Sequence, residues 1–442
     1  MADDPTQVTR VVGDGARAVR VLRGCDLEVL AGPGRGTQAR LDKPCFRVGS
    51  HASNDLQLPD ETVSRHHLEI RCEPEGYRIF DLDSSNGTFL GGARLGEILV
   101  TGAVELELGA TRLRIAPGGD ETEVPGSTAT RFGALQGRSI AMRELFAQLE
   151  AVAKSDATVL LEGETGSGKE RVAESLHRES SRGRARGPFV VVDCGALAGG
   201  LMESELFGHV RGAFTGADEP RVGLIEAAHR GTLFLDEVGE LPLSLQAKLL
   251  GVLTRNKVTP VGGSEARKVD VRVIAATRHN LPRAINAGLF RAELFYRIAV
   301  VRLRVPPLRE RLDDVPLLVG EILAELRERE GDRVPEELSA VALAKLVAQP
   351  WPGNVRELRN TVEAAVINLP GASRAAAPAA APIQPFFSGR EAALEQFHRV
   401  YFARLVAGEQ FNYSRLAAET GLDRGYLHRI LKRYGLSPAK KK

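Results

Sequence analysis

The sequence predicts a multidomain protein: an all-β sandwich at the amino end, a central α/β domain with a small helical lid, and an all-α helix-turn-helix at the carboxyl end. Three observations favour this class. Short alternating apolar segments separated by turn residues fill positions 19–115. An apolar strand, a glycine-rich turn and a helix follow one another over 159–177. After an Ala- and Pro-rich stretch at 375–385, two helical patterns flank a glycine.

Composition limits the classes of function. The chain has 442 residues, enough for roughly two to four domains. Its formal net charge is +2, so any surface for nucleic acid must be local. The amino end is acidic and lacks a signal peptide's apolar segment, and no apolar run is long enough to cross a membrane. The four scattered cysteines lack metal-ligand spacing, so we expect reduced thiols and a cytoplasmic protein.

The amino-terminal sandwich is predicted over residues 19–117. Strand patterns at 26–30, 68–71, 77–81 and 112–115 are separated by turn sequences such as Ser-Asn-Gly at 85–87. Three motifs occur in order: Gly49-Ser50, Val-Ser-Arg-His-His at 63–67, and Asp-Ser-Ser-Asn-Gly-Thr at 83–88.

Together these motifs resemble the forkhead-associated (FHA) domain, a family that binds phosphothreonine peptides through loops at one end of a sandwich. The resemblance implies that Ser64 and Arg65 contact the phosphate, that His67 braces the loop, and that Asn86 holds the peptide backbone. Hydroxyl donors and an arginine fork suit a dianionic phosphate. The full set of implied phosphopeptide-binding residues is Ser50, Ser64, Arg65, His67 and Asn86.

Ser50 departs from the family, because many members have an arginine at this position. Arg47 is a candidate to replace that contact. The alternative is an FHA-shaped module that no longer binds phosphopeptides and only packs on its neighbour. If the site is active, the expected partner is a protein phosphorylated on threonine by a Ser/Thr kinase. Control by the FHA domain would then be either positive or negative.

A flexible linker is predicted at 118–131, because the segment from Pro117 to Pro125 is rich in Gly, Glu and Pro. The central domain is predicted at 132–370. It begins with an amphipathic helix at 139–153, whose apolar face carries Met142, Leu145, Phe146 and Leu149.

A phosphate-binding loop is predicted after the apolar strand at 159–161. Its glycines allow backbone N–H groups to surround a polyphosphate, the following helix adds partial positive charge, and Lys169 reaches the β- and γ-phosphates. Glu170 stands where many such loops have a Ser or Thr that holds magnesium. The alternative is a plain glycine-rich turn. The predicted ATP-binding residues of the loop are Gly163, Glu164, Thr165, Gly166, Ser167, Gly168, Lys169 and Glu170.

A second apolar strand at 231–237 ends in two acids. Asp236 is placed to hold Mg²⁺ through water, and Glu237 to polarise the attacking water. The alternative is a solvated strand end, but the two motifs in this order favour an ATPase.

A glycine-flanked aromatic and hydroxyl pair lies between these motifs, at Phe214 and Thr215. Glycine weakens regular structure, so an exposed Phe on such a loop suits contact with a partner better than a place in a core. The proposed contact residues are Gly212, Ala213, Phe214, Thr215, Gly216 and Ala217.

This hexapeptide and the loop form Gly-Glu-Thr-Gly-Ser-Gly-Lys-Glu resemble the bacterial enhancer-binding activators of sigma-54 RNA polymerase, which are AAA+ ATPases. The resemblance runs from about 132 to 369. It implies that the hexapeptide touches sigma-54 and moves with ATP hydrolysis, and that the chain forms a ring, a hexamer in the family.

Further roles follow from the same resemblance. Thr277 is the candidate sensor of the γ-phosphate. Arg291 and Arg297 would reach the neighbouring subunit's nucleotide, unless they form only surface salt bridges. Arg356 would contact nucleotide from the lid. Asp193 stands where many members have an asparagine that switches with the catalytic glutamate, and two carboxylates share a hydrogen bond only when one is protonated.

The carboxyl end is predicted as a linker at 371–389 and a helix-turn-helix at 390–442, which resembles the Fis-type domain of many such activators. Gly421 allows the turn and Asp423 caps the second helix. The alternative is a helical end that only dimerises. The second helix carries the predicted DNA-binding residues Arg424, Tyr426, His428, Arg429, Lys432 and Arg433.

The leading hypothesis is therefore an activator that binds enhancer DNA and remodels sigma-54 polymerase with ATP and Mg²⁺, with the FHA domain as its control element. The rivals are a non-transcriptional AAA+ remodelling ATPase and a non-catalytic adaptor or repressor. The hexapeptide and the DNA-binding end disfavour the first rival, and the retained ATPase residues disfavour the second.

Overall fold

The computed structural model describes residues 8–12, 19–180, 183–196, 199–367 and Gly425. The described residues up to 367 belong to one unit. The predicted linker at 371–389 and the six predicted DNA-binding residues lie outside the described part of the chain. Among the described residues, no helix is both long and apolar enough to cross a bilayer.

The amino-terminal domain is a sandwich of two sheets, as predicted. One sheet has the order β1-β2-β12-β11-β8-β9, with β3 also paired to β2, and the other has the order β10-β7-β6-β4-β5. Alternate residues of the strands face inward, which places Leu27, Ile70 and Leu113 in the core between the sheets. The strands are β1 (Thr9–Val12), β2 (Val19–Ala31), β3 (Gln38–Leu41), β4 (Cys45–Gly49), β5 (Leu56–Gln57), β6 (Leu68–Glu73), β7 (Gly76–Asp81), β8 (Thr88–Leu90), β9 (Ala93–Leu95), β10 (Glu97–Val100), β11 (Val104–Leu108) and β12 (Thr111–Val124).

The boundaries predicted for this domain were wrong at both ends. β1 pairs with β2 and precedes residue 19. The first part of the predicted flexible linker is strand: β12 continues to Val124 and pairs again with β2 after a register shift between Pro117 and Glu121. The glycines and proline that suggested a linker lie at this irregularity, where an interrupted ladder tolerates them.

The central domain begins with a short hairpin and a helix capped by Ser139, whose hydroxyl accepts from the N–H of Met142. The strands are β13 (Arg131–Phe132), β14 (Leu135–Gln136), β15 (Val159–Glu162), β16 (Phe189–Asp193), β17 (Gly208–His209), β18 (Arg221–Val222), β19 (Thr232–Asp236), β20 (Lys257–Val258), β21 (Arg267–Lys268), β22 (Arg272–Thr277) and β23 (Val301–Arg304). The helices are α1 (Ile140–Ala153), α2 (Lys169–Arg178), α3 (Gly199–Phe207), α4 (Leu224–Ala227), α5 (Leu243–Arg255), α6 (Leu281–Asn286), α7 (Ala292–Ile298), α8 (Val315–Glu330), α9 (Ala340–Val347) and α10 (Asn354–Ile367).

Five parallel strands form the central sheet in the order β16-β19-β22-β15-β23. Apolar clusters cover both faces, as a parallel sheet requires. The predicted core residues Met142, Leu145, Phe146 and Leu149 are all buried. The carboxyl ends of β15, β19 and β22 therefore meet at one edge, where an α/β sheet binds its ligands.

The helical lid is formed by α8, α9 and α10 around a separate apolar cluster. Trp351 is 1% exposed there and its indole N–H donates to Leu346 O at 2.8 Å, so it packs the lid core as predicted. The lid places the start of α10 beside the phosphate-binding loop.

Candidate functional site

The predicted phosphate-binding loop joins β15 to the amino end of α2. Gly166 and Gly168 have φ of +76° and +101°, a region that favours glycine. A Cβ at Gly166 would come within 2.5 Å of Gly353 O and 3.0 Å of the Arg356 Cβ, so the lid lies directly on the loop. Thr165 and Glu170 are exposed, while Ser167 is buried.

Lys169 is 6% exposed, and its Nζ lies at the centre of the candidate site. It donates to Gly163 O at 3.0 Å and Glu164 O at 3.3 Å, and lies 3.4 Å from Glu237 Oε1. The sheet therefore brings together the lysine of the loop and the acid that ends β19, as the two sequence motifs predict.

Asp236 and Asp193 end neighbouring strands and are paired in register. Burial, and then the charge of Glu237, raises the pKa of Asp236. Asp236 Oδ1 accepts from the N–H of Glu237 at 3.0 Å, and Glu237 itself has φ of +49°. Asp193 Oδ1 accepts from the N–H of Gly195 at 2.9 Å.

Glu237 has a second partner that the sequence did not suggest. Its Oε2 accepts from the backbone N–H of Arg278 at 3.1 Å, and the Arg278 Nε lies 4.0 Å away. The Arg278 guanidinium also donates to Glu240 at 2.9 Å, and His279 contacts the same Glu240 oxygen at 2.8 Å. Glu237 is thus in contact with Arg278, whereas the Asp193 carboxylate accepts from the N–H of Gly195.

Thr277, the candidate sensor, is fully buried at the end of β22. Its Oγ1 accepts from the N–H of His279 at 3.0 Å, and its carbonyl accepts from the N–H of Gly163 at 3.2 Å. The sensor strand is thus bonded to the first residue of the phosphate-binding loop.

Asn354 holds the lid on the loop, and sequence reasoning missed it. This buried residue has φ of +56°, its Nδ2 donates to Glu164 Oε2 and Thr165 O at 3.1 Å each, and its Oδ1 accepts from the N–H of Leu308 at 2.7 Å. Asparagine tolerates this backbone region better than most residues. The Trp-Pro-Gly-Asn sequence at 351–354 was the available signal.

Two arginines on the segment before α8 also brace the loop. Arg309 forms an ion pair with Glu164 at 2.7 Å and thereby lowers the pKa of that carboxyl. Arg311 is buried and donates to Ser167 O at 2.6 Å. Both were missed, because neither lies in a motif of known spacing.

The predicted trans-acting arginines bond to carbonyl groups of α5 in their own chain. Arg291 occupies the N-cap position of α7 without a side-chain capping bond, and its Nε donates to Leu243 O at 3.2 Å. Arg297 donates through Nε and Nη2 to Leu253 O at 3.1 and 2.7 Å. Both side chains are exposed and rest on carbonyl groups at the two ends of α5.

The hexapeptide loop projects from the β17–β18 hairpin. Gly212 and Gly216 have φ of +78° and +97°, and the Gly212 N–H donates to Ala217 O at 2.8 Å, closing the loop. Phe214 is 44% exposed with its ring 5.0 Å from that of His209, and Thr215 is exposed. This placement is compatible with contact to a partner.

The loop rests on the hairpin formed by β20 and β21. The N–H of Val210 donates to Val261 O at 3.1 Å, and a Cβ at Gly262 would lie 2.8 Å from that of Ala213.

The predicted phosphopeptide residues lie on three loops at one end of the sandwich. Ser64 Oγ accepts from the N–H of Ser85 at 2.9 Å, and Asn86 Nδ2 donates to Thr62 O at 2.7 Å. His67 is fully buried; its Nδ1 accepts from the N–H of Ser64 at 3.1 Å, so it braces the loop. Arg65 and Asn86 are exposed, and Ser50 is half-buried.

Arg47 does not fill the role suggested for it. Its guanidinium pairs with the buried Glu69 at 2.9 Å, and these two charges stabilise each other on β4 and β6. Arg47 and Arg71 together hold the pKa of Glu69 at about 2 despite its burial.

Family models match three parts of the chain. They are the Sigma-54 interaction domain over residues 135–304, the AAA+ ATPase lid domain over 309–376 and the FHA domain over 46–111. These matches confirm the family and the fold class predicted for the amino-terminal and central domains.

Relatives match most of the chain. Regulatory protein AtoC of Escherichia coli (strain K12) is 37% identical over 385 residues, which are 84% of this chain and 79% of AtoC. Nitric oxide reductase transcription regulator NorR1 of Cupriavidus necator is 39% identical over 446 residues, 90% of this chain and 85% of NorR1. The structure of NtrX from Brucella abortus in complex with ADP is 37% identical with a TM-score of 0.50, covering 68% of this chain and 69% of NtrX. The chain therefore belongs to the sigma-54-dependent transcription regulators, as an AAA+ member that carries an FHA domain at its amino end.

Proposed function

We propose that this chain binds and hydrolyses ATP with Mg²⁺ and uses the hydrolysis to remodel sigma-54 RNA polymerase. The observation that carries the proposal is the meeting of Lys169, Asp236 and Glu237 at one edge of the parallel sheet, in a chain of this family. The structure of NtrX in complex with ADP supports nucleotide binding by this chain.

The phosphates would lie against the backbone N–H groups of residues 163–168 and the amino end of α2. Lys169 would exchange its bonds to Gly163 O and Glu164 O for bonds to phosphate oxygens. A charged phosphate is a stronger partner for an ammonium than a carbonyl. That exchange would also release Lys169 from Glu237.

Asp236 fits the role of magnesium ligand. It is half-buried at the carboxyl end of β19, and its Oδ1 accepts from the N–H of Glu237. Among the described residues, no group of three or more His, Cys, Asp or Glu could hold a metal alone. That suits Mg²⁺, which binds one or two carboxylates and completes its shell with waters and phosphates. When bound, it would offset phosphate charge.

Glu237 would orient and polarise the attacking water. Thr277, the last residue of β22, would contact the γ-phosphate. Arg291 and Arg297 would leave the carbonyls of α5 and reach a neighbouring subunit's nucleotide. An arginine supplied in this way stabilises the charge that develops during phosphoryl transfer. It raises the rate of hydrolysis by about 10³-fold or more. Hydrolysis would then require a homo-oligomeric ring, with a hexamer as the expected form.

The loop at 212–217 would transmit the nucleotide state to sigma-54. Its contacts with the β20–β21 hairpin support this, because that hairpin leads directly into the sensor strand β22. The carboxyl-terminal region would bind enhancer DNA, and the FHA domain would bind a phosphothreonine protein through Ser64, Arg65 and Asn86.

The test measures ATP binding, ATP hydrolysis and open-complex formation at a sigma-54 promoter. Lys169→Ala should lose ATP binding, because the phosphates lose their lysine. Glu237→Ala should bind ATP yet hydrolyse it at less than about a hundredth of the wild-type rate. Lys154→Ala, an exposed lysine after α1, is the matched control and should behave as wild type.

Near-normal turnover in either site variant would disprove the ATPase assignment. Normal hydrolysis without any effect on sigma-54 polymerase would instead support the rival of a non-transcriptional remodelling ATPase.

A further inference from the structure

The FHA domain lies against α6 and α7 of the central domain through the loops that carry its candidate peptide-binding residues. The His51 ring stacks on the Tyr296 ring with centroids 4.0 Å apart and planes 9° apart. His66 is 1% exposed, its Nε2 lies 3.2 Å from the Tyr296 hydroxyl, and its ring meets Phe295 edge-on at 5.4 Å. His51 follows Ser50, and His66 follows Arg65, in the chain.

Asn286, at the end of α6, clamps two of these loops together. Its single amide group donates to His66 O and to Leu82 O, each at 2.8 Å. Arg283 adds a bond from Nη2 to Asp81 O at 2.6 Å.

The same two loops are joined on their peptide-binding side. Ser64 Oγ accepts from the N–H of Ser85 at 2.9 Å, so Ser64 on one loop fixes Ser85 on the other. The spacing of these loops is thus set from one side by Asn286 and from the other by the residues expected to hold a phosphothreonine peptide.

Charge also links the two surfaces. Burial, and then the positive charge of Arg65, lowers the pKa of His51. Arg65 is thus close enough to act on the ring that stacks on Tyr296. A dianionic phosphate bound by Arg65 would change the electrostatic environment of that contact.

The elements clamped by the FHA domain take part in the proposed ATPase cycle. α6 begins four residues after Thr277, and α7 follows Arg291 and contains Arg297. In the docked arrangement both arginines donate to carbonyls of their own chain. Docking therefore accompanies a state in which neither arginine extends toward a neighbour.

We propose that α6 and α7 form a docking surface for the recognition loops of the FHA domain, that this docking restrains the trans-acting arginines, and that a phosphothreonine peptide competes with it. This inference rests on the phosphothreonine role proposed above and adds the sign of control: the ligand activates by release. A ligand shifts such an equilibrium only by its difference in affinity for the two states, so the coupling must appear in both directions.

The experiment uses the full chain with a degenerate phosphothreonine peptide library and its unphosphorylated counterpart. Asn286→Ala breaks the clamp from the ATPase side, and His51→Ala breaks the stack from the FHA side. Gln349→Ala, an exposed amide in the lid, is the control. Asn286→Ala should bind the phosphorylated library about fivefold tighter than wild type or more. Both docking variants should show raised basal ATPase activity.

Hydrogen exchange over residues 281–298 reports docking directly. Adding the phosphorylated library to wild type should speed exchange there, and Arg65→Ala should abolish that response. Equal affinity in wild type and Asn286→Ala, with unchanged exchange, would overturn the coupling, and weaker binding in Asn286→Ala would overturn its sign. If neither wild type nor Asn286→Ala binds the phosphorylated library, the phosphothreonine role itself is wrong and the competition falls with it. The basal ATPase activity of Asn286→Ala and His51→Ala would still test whether docking restrains the ATPase, because that measurement needs no peptide.

Discussion

Asn354 shows how one side chain can join two parts of the ATPase site. Its side-chain Nδ2 donates to the phosphate-binding loop, and its side-chain Oδ1 accepts from the N–H of Leu308. The residue is fully buried. Removing a partner from buried polar groups costs about 1–3 kcal/mol for each group left unsatisfied. The backbone at this position adds a second cost for any residue that avoids positive φ.

We therefore predict that Asn354→Ala raises the Kd for ATP and lowers thermal stability, and that Asn354→Gly raises the Kd similarly with a smaller loss of stability. Glycine accepts φ of +56° without strain but lacks the amide. Calorimetric titration and thermal melts measure the two effects. Unchanged nucleotide affinity in both variants would show that the lid holds the loop without Asn354.

Arg278 is predicted to position Glu237. Arg278→Ala should lower kcat by about tenfold with little change in KM for ATP, because misplacing a catalytic group slows the chemical step. Arg278→Lys should recover part of the rate. The control is His279→Ala, which removes the other contact to Glu240 and leaves the neighbourhood of Glu237 intact.

Steady-state kinetics at saturating ATP separate the two parameters. Equal losses in Arg278→Ala and His279→Ala would assign the effect to Glu240 instead.

At the scale of single elements, the hexapeptide loop is held by glycine geometry and by the β20–β21 hairpin rather than by the sheet. We predict that Thr215→Ala keeps most ATPase activity and loses open-complex formation at a sigma-54 promoter, because the hydroxyl is exposed at the loop tip. Thr254→Ala, an exposed threonine on α5, should keep both activities. Full activation by Thr215→Ala would rule out this loop as the coupling element.

The second helix of the helix-turn-helix remains a sequence prediction, outside the described residues. Arg429→Ala should weaken binding to an enhancer site by about 1–3 kcal/mol if the guanidinium contacts a base edge. Lys441→Ala should weaken specific and nonspecific DNA alike, since a tail lysine meets only phosphates. Gel-shift titrations at fixed salt distinguish the two patterns, and unchanged affinity in Arg429→Ala would exclude that helix as the base-contacting element.

At the scale of the whole molecule, FHA docking should depend on pH through His66. Its Nδ1 lies 2.9 Å from Asn54 Oδ1, which can only accept, so Nδ1 donates and Nε2 accepts from Tyr296. Burial first, and then the positive charges of Arg302, His51, Arg47 and Arg65, lower the pKa of His66 to about 4. The docked state therefore requires the neutral ring.

Because the pKa of His66 is lower in the folded protein than in the unfolded chain, its contribution to stability is fully present above the unfolded pKa, near 6.5. That contribution declines as the pH falls toward 4. When the pH falls from 7.5 to 5.5, we expect the free energy of unfolding of wild type to decrease by about 1 kcal/mol more than that of His66→Gln, whose amide does not titrate there. The urea midpoints of the two proteins at each pH measure this difference. Parallel pH dependence in both proteins would contradict the role given to His66.

Much of the fold and part of the site could be predicted because their signals are local. The strand, glycine turn and helix around Lys169 are contiguous, as are the acids at the end of β19, and their order along the chain implies a shared sheet edge. The predicted face of α1 is buried because a helix repeats its apolar residues on one side. The segment at 118–124 was mistaken for a linker because its composition does not reveal the pairing with β2.

The sequence by itself determined the family, the FHA and AAA+ domains and the chemical groups of the phosphate-binding loop, because each depends on residues close together in the chain. Only the tertiary structure decided which distant side chains act together. Asn354 and Glu164 are 190 positions apart, and Asn286 lies 220 positions from His66. Such contacts depend on how the folded surfaces pack against each other, and the local propensities of the residues do not encode that packing.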